Sequence, residues 1–241
     1  MLKKIIIIIS TILLLLIISF FSRVLFVKYG NSDEIKIISP YSYYSPLNFS
    51  DGLKLVNVSR LPSWTTSHPL IFTYLDGKEE IKNVSVDDGY TLMYSYPNTE
   101  YFANVKVEKS IEGQYEKDKQ KVIEFTKLNY QRKTKIVENA ILKDPNEKIS
   151  LDKEKAKNVD YFTYEENTYK GYDYVYFTEN IIGLTENIIG LVYIFIPEEE
   201  IIITAYLLNQ KNTHFKNIDE FLLLRDKFIT GYIDFIESNN K

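Results

Sequence analysis

The feature that most constrains this chain is how it begins. After Lys3 and Lys4 comes an uncharged run, IIIIISTILLLLIISFFS, from Ile5 to Ser22. A helix that is apolar on all sides needs an apolar environment all round. At ~1.5 Å per residue the run reaches about 27 Å, close to the hydrocarbon core of a bilayer. Val24 to Val27 can extend the helix while Arg23 snorkels towards headgroups. The expectation is therefore a membrane anchor over residues 1–29, in contact with lipid through residues 5–27. A cleaved signal peptide is the rival reading. Its apolar region is shorter, about 7–15 residues, and ends in small residues. Here the run ends in SFFSRV, with Phe20 where a small residue is wanted, so an uncleaved signal-anchor is expected. Arg23, Lys28 and Lys36 come after the run and weaken the charge asymmetry. The short N-terminal tail with two lysines still favours a single-pass topology, N-terminus cytoplasmic and C-terminal domain extracytoplasmic.

The remainder of the chain must fold outside the bilayer. The chain has 241 residues, 45% of them hydrophobic, which suffices for one medium domain with a core. Its net charge of −4 is small and mixed in sign, so no nucleic-acid partner is expected. Cysteine is absent, which excludes disulfides, thiolate catalysis, Cys-ligated metal and a lipid-modified cysteine. Twenty Tyr and fourteen Phe suit an amphipathic sheet surface, or an aromatic binding face.

Residues 30–50 hold Gly30, Pro40, Pro46 and many Ser and Tyr, and read as a stalk or linker. One domain is expected over 51–241. Strand-like runs fill its first half: Leu53 to Val58, Leu70 to Tyr74 ending at the Asp76-Gly77 turn, Tyr90 to Tyr96, and Phe102 to Val107. Gln114 to Tyr130 then shows helical spacing of Val122, Phe125 and Leu128 among charges. Lys133 to Lys157 is polar, with a turn at Asp144-Pro145-Asn146. Strands return at Val159 to Glu165 and Tyr172 to Thr178 around Gly171, then at Ile188 to Ile196 and Ile201 to Leu208 around Pro197 to Glu200. The last segment is a helix, with Asn217 and Glu220 spaced as a capping box. Its two apolar rows, Phe221-Leu224-Phe228-Tyr232-Phe235 and Ile218-Leu222-Ile229-Ile233-Ile236, need a wide surface such as a sheet. The fold class is therefore α+β: a mainly antiparallel sheet packed by a charged middle helix and an apolar C-terminal helix.

One stretch repeats itself. Thr178 to Leu184 and Thr185 to Leu191 both read TENIIGL. Gly183, Gly190, Asn180 and Asn187 are poor inside a helix, and strands flank both sides. A hairpin fits, with Tyr172 to Ile182 outgoing, Gly183 to Asn187 turning, and Ile188 to Ile196 returning. The repeat then lengthens a hairpin tip, or makes that tip a contact for a partner. Seven is odd, so a one-copy slip within a strand would present the opposite face.

Catalytic signatures are missing. There is no GxxxxGK[ST], GxGxxG, HExxH or GxSxG. The two histidines are His68, ahead of a proline in an expected loop, and His214, just before the last helix. Either could serve a hydrolase with nearby carboxylates, since triads form in space. Neither has ligand spacing for a metal. Carboxylates cluster at Asp87-Asp88, Glu165-Glu166 and Glu198 to Glu200, all at expected turns or strand ends. No catalytic, cofactor-binding or metal residue is singled out, and no cofactor is expected.

The stretches YSYPNTEYFANVKVEKS, YKGYDYVYF, GLVYIFIPEEEIIITAYLLNQ and EFLLLRDKFITGYIDFI, spread over about residues 85–238, resemble the PsbP-like α/β domains. That resemblance implies a bacterial secreted or anchored accessory factor, or an immunity protein against toxins injected by competitors. It carries no catalytic residue onto this chain. The expected function is a non-enzymatic, membrane-anchored domain that binds another protein. The alternative is an extracytoplasmic hydrolase using His68 or His214.

Overall fold

The computed structural model describes residues 41–62, 64–99, 101–143, 162–179, 188–208 and 218–239. Contacts divide the chain into Met1–Lys36 and Ile37–Lys241; all described residues belong to the second unit. The apolar segment 5–27 lies outside them. Among the described residues no helix is long and apolar enough to cross a membrane.

Seven antiparallel strands form the main sheet: β1 (Lys54–Arg60), β4 (Asp88–Ser95), β5 (Tyr101–Lys109), β6 (Phe162–Tyr169), β7 (Tyr172–Glu179), β8 (Ile188–Ile196) and β9 (Ile201–Leu208). Their order is β1-β4-β5-β9-β8-β7-β6. The meander β6 to β9 thus returns its last strand to β5, at the centre of the sheet. The sequence explains the placing. β8 and β9 are apolar on both faces, as strands covered on both sides must be. The edges β1 and β6 carry exposed polar residues that discourage further pairing. β6 and β7 meet through a two-residue loop in which Lys170 (φ 51°) and Gly171 (φ 89°) are both left-handed. That is the turn whose twist matches a hairpin.

Alternate residues divide the sheet into two faces. Val105, Ile194, Ile203 and Leu207 lie on one, beneath Phe221, Phe228, Tyr232 and Ile236 of the C-terminal helix α2 (Ile218–Asn239). Val175, Tyr193, Phe195 and Ile202 lie on the other. Helix α1 (Tyr115–Lys143) and a separate hairpin, β2 (Ser67–Thr73) with β3 (Glu79–Ser85), contribute Val122, Leu70, Phe72 and Val84 to that second cluster.

The α+β class and both helices are as expected, with four differences. Residues 41–50 are not stalk. A single 3-10 turn, Tyr41–Tyr44, buries Tyr44, whose carbonyl accepts a 2.6 Å bond from Tyr232 Oη. Phe49 stacks on Phe228 and meets Tyr94 edge-on, both at 5.4 Å. Buried aromatic contacts of this kind outweigh the loop-like composition of the stretch. Second, α1 continues beyond Tyr130 to Lys143. Most of its added residues are good helix formers, and the first proline comes at Pro145, whose predecessor disfavours helix. Third, β3 escapes a hydrophobicity reading because EEIKNVS is mostly exposed. It is held instead by full pairing with β2, from Ser67↔Ser85 to Thr73↔Glu79. Fourth, β6 runs from Phe162 to Tyr169 rather than from Val159 to Glu165. Asn217, the expected cap of α2, lies outside the described residues.

Candidate functional surfaces on the hairpin and under helix α1

Hairpin β2–β3 is fixed to α1 by a buried carboxylate. Asp118 accepts a 3.0 Å bond from the Ser85 N–H, a short bond from the Ser85 hydroxyl, and a 2.8 Å bond from Lys121. On the rim, Lys82 reaches Glu124 at 2.9 Å and lies over the Phe72 ring. The inner face of the hairpin is thereby committed to the core. Its outer face is open: Ile71 and Ile81 are direct cross-strand partners, 52% and 64% exposed. Leu75 in the turn is half exposed, and Trp64 in the approach to β2 is 77% exposed.

His68 sits in β2, not in a loop. Pro69 is tolerated there because a strand of a two-stranded sheet is always an edge. The side chain of His68 turns inwards with Leu70 and Phe72. Its Nδ1 lies 3.1 and 3.0 Å from the two carboxylate oxygens of Glu108 on β5. Glu108 is nearly inaccessible, and the imidazole gives it a polar partner of the kind a buried carboxylate needs. Among the described residues His68 bonds to no Ser or Thr hydroxyl, so the pair lacks the nucleophile of a triad. His214 lies outside the described residues. No group of three His, Cys, Asp or Glu among them could hold a metal ion.

The carboxylate clusters do not converge. Asp88 opens β4 and pairs with Arg60 at 2.8 Å. Glu165 and Glu166 lie on β6, not at a turn. Glu165 accepts a 2.5 Å bond from Tyr176 Oη, and Glu166 accepts one from Tyr164 Oη. Five strand-to-strand steps separate β4 from β6, about 24 Å at the usual spacing. Two glycosidase carboxylates would need to be within ~10 Å. Glu198 and Glu199 lie in the turn between β8 and β9, and Glu200, left-handed, ends it.

Two cavities open on the α1 face. One, of about 230 Å³, is of mixed character: the 2.8 Å ion pair of Lys119 with Asp173 lines it together with Ile123, Val175 and Phe195. That ammonium and the Thr168 hydroxyl hold the Asp173 carboxyl below the usual carboxylate range. The other, of about 320 Å³, runs between α1, β2 and strands β7 to β9. Leu70, Phe125, Phe177, Leu191, Tyr193 and Tyr206 line it. Burial raises the Tyr193 and Tyr206 phenols, with the Glu108 charge adding to it. At its wall the Lys133 ammonium bonds the Glu179 carboxylate and stands 5.3 Å from the centre of the Phe177 ring. Burial, then the neighbouring Arg132, lowers the Lys133 pKa.

The repeat enters here. β7 and β8 pair from Tyr174↔Ile194 to Thr178↔Gly190, as the hairpin reading expects. The tip, 180–187, lies outside the described residues. Thr178 is buried against α2, where its hydroxyl meets Arg225 at 3.0 Å. The Arg225 guanidinium lies 3.9 Å above the Tyr176 ring. Glu108, Asp118, Lys133, Glu179 and Arg225 were not marked by the sequence. On β5, Asn104-Lys106-Glu108 alternates with Ala103-Val105-Val107 and reads as a solvent face; a hairpin from elsewhere in the chain covers Glu108.

Compared with known proteins, the chain matches no family model, no curated protein and no solved structure.

Proposed function

We propose that this chain is a membrane-anchored extracytoplasmic domain that binds another protein without catalysing a reaction. Its most concrete form is an immunity protein that neutralises an antibacterial toxin. The observation that carries this reading is the outer face of β2–β3. Ile71 and Ile81 sit side by side on a hairpin whose other face is locked to the core, so burying them would cost no rearrangement. An isolated apolar residue on a surface means little, but paired large residues on a well-supported strand are what interfaces use. The apolar run before Lys36 supports the anchor reading, and with it the extracytoplasmic setting.

Two experiments test it. An alkaline-phosphatase fusion after residue 35 should be active, and the mature protein should keep its N-terminus; a protein released into the medium and starting near Arg23 ends the anchor reading. Residues 37–241 used as bait should capture a specific protein, and Ile71→Asp with Ile81→Lys should abolish capture while the fold persists. Capture that ignores both substitutions removes the hairpin from the interface.

The hydrolase reading retains one observation, the buried His68–Glu108 pair. His68→Ala decides between the two. Unchanged partner capture is expected from a binding domain; loss of an ester- or amide-cleaving activity would favour the hydrolase.

A further inference from the structure

We propose that the cleft between α1 and β7–β9 is a seat for a small organic cation, a quaternary or alkyl ammonium, which the Lys133 side chain occupies until a ligand displaces it. The inference is independent of the hairpin interface. Glu179 is the fixed half of the seat. It ends β7, its side chain is 6% exposed, and strand pairing holds its backbone. A carboxylate so placed needs a positive partner. Lys133 is the movable half. It projects from a surface helix, its side chain is already one-third exposed, and its lowered pKa records what burial costs it. Swinging out returns the ammonium to water and leaves Glu179 facing an open cavity.

The walls fit the incoming group. Phe125, Phe177 and Tyr193 border the cleft beside Tyr206, whose ring already has the Lys106 ammonium 5.7 Å from its centre, and aromatic faces attract cations within about 6 Å of their centroids. Lys133 shows the effect, its ammonium lying near the Phe177 ring. The volume of about 320 Å³ is in the range of small-ligand sites. An anion would meet the Glu179 carboxylate, and a neutral apolar molecule would leave that charge unpaired once Lys133 moves. A cation with an apolar body satisfies both the charge and the rings.

The test uses the purified full chain in non-ionic detergent. Tetramethylammonium chloride is titrated while the Leu70 and Leu191 methyl resonances are followed, with sodium chloride as the control. Saturable shifts with tetramethylammonium and none with sodium are expected. Lys133→Met vacates the seat and should tighten binding about tenfold or more; Glu179→Gln should weaken it by at least about tenfold. If Lys133→Met does not fold, Phe177→Leu in the otherwise native chain replaces it and should weaken binding severalfold. Absence of a saturable shift, binding unaffected by Glu179→Gln, or binding unaffected by Phe177→Leu overturns the proposal.

Discussion

The two faces of the main sheet come from alternate residues of the same strands, yet they solve different problems. Beneath α2 the layer is mostly apolar, and its buried polar contacts include Arg225 with Thr178 at one end and Tyr232 Oη with the Tyr44 carbonyl. Beneath α1 and the hairpin, Glu108, Asp118, Glu179 and Thr204 are all buried. Among the described residues, Asn104 Oδ1 and Thr204 Oγ1 have no hydrogen-bond partner there. One face is held by transfer of apolar surface out of water, which is non-directional. The other also depends on satisfying particular groups, which is directional and costly to leave undone. The cavities and the open hairpin belong to the second face.

The largest effect should come from alkali, and it asks whether the faces unfold together. Tyr94 and Tyr232 on the α2 face and Tyr193 on the α1 face have phenols raised chiefly by burial, and Tyr44 is raised to about 12. A raised phenol keeps its proton in the folded state while the unfolded chain releases it near pH 10. Stability is therefore intact below pH 10 and falls as pH rises through and beyond that value. Tyrosinate absorbance and circular dichroism should change in one cooperative step above pH 10. Two separated steps would show that the faces are independent.

Next in size is Phe228→Ala on the α2 face, expected to cost about 3–5 kcal/mol by urea denaturation, since the ring contacts Phe49 and Tyr232 in a full layer. Asp118→Ala on the α1 face should cost less, about 2–3 kcal/mol, through the unpaired Ser85 N–H and hydroxyl. Its signature is local: hydrogen exchange should quicken over Glu79–Ser85 and stay slow in β8 and β9. A global response to Asp118→Ala, or a local one to Phe228→Ala, would invert the comparison. Deleting one TENIIGL copy should cost about 1–2 kcal/mol in thermal unfolding, because Tyr174 to Thr178 keep partners in β8. Failure to fold would place the repeat in the core. Lys170→Ala removes exposed ion pairs to Asp234 and Glu237, and its melting temperature should not move beyond the scatter of surface substitutions.

The α2 face was legible in the sequence. Ile188–Ile196 and Ile201–Leu208 are bounded as expected, because strands buried on both sides read as unbroken apolar runs ended by Pro197. The rows of α2 read equally well, apart from Arg225 among them. The α1 face was not legible, for a physical reason. Its buried acids look like surface acids until the covering elements are known, and β3, whose Ser85 meets Asp118, is itself polar. Tyr44 and Phe49 were missed likewise, since their partners Tyr232 and Phe228 stand almost at the other end of the chain.

The identical copies in the β7–β8 connection have one further consequence. Removing residues 178–184, 180–186 or 185–191 yields the same chain. Described the second way, the loss shortens the connection between Glu179 and Ile188 from eight residues to Asn187 alone, so the pairs up to Thr178↔Gly190 would be closed by Glu179, Asn187, Ile188 and Ile189. The change of face that an odd step would force within a strand never reaches the sheet. A copying slip in the gene, adding or losing one unit, would alter the length of the connection in steps of seven and need not shift the β7–β8 pairs from Tyr174↔Ile194 to Thr178↔Gly190. The hairpin can thus be a site of inherited length variation at which the fold keeps no record of the number of copies.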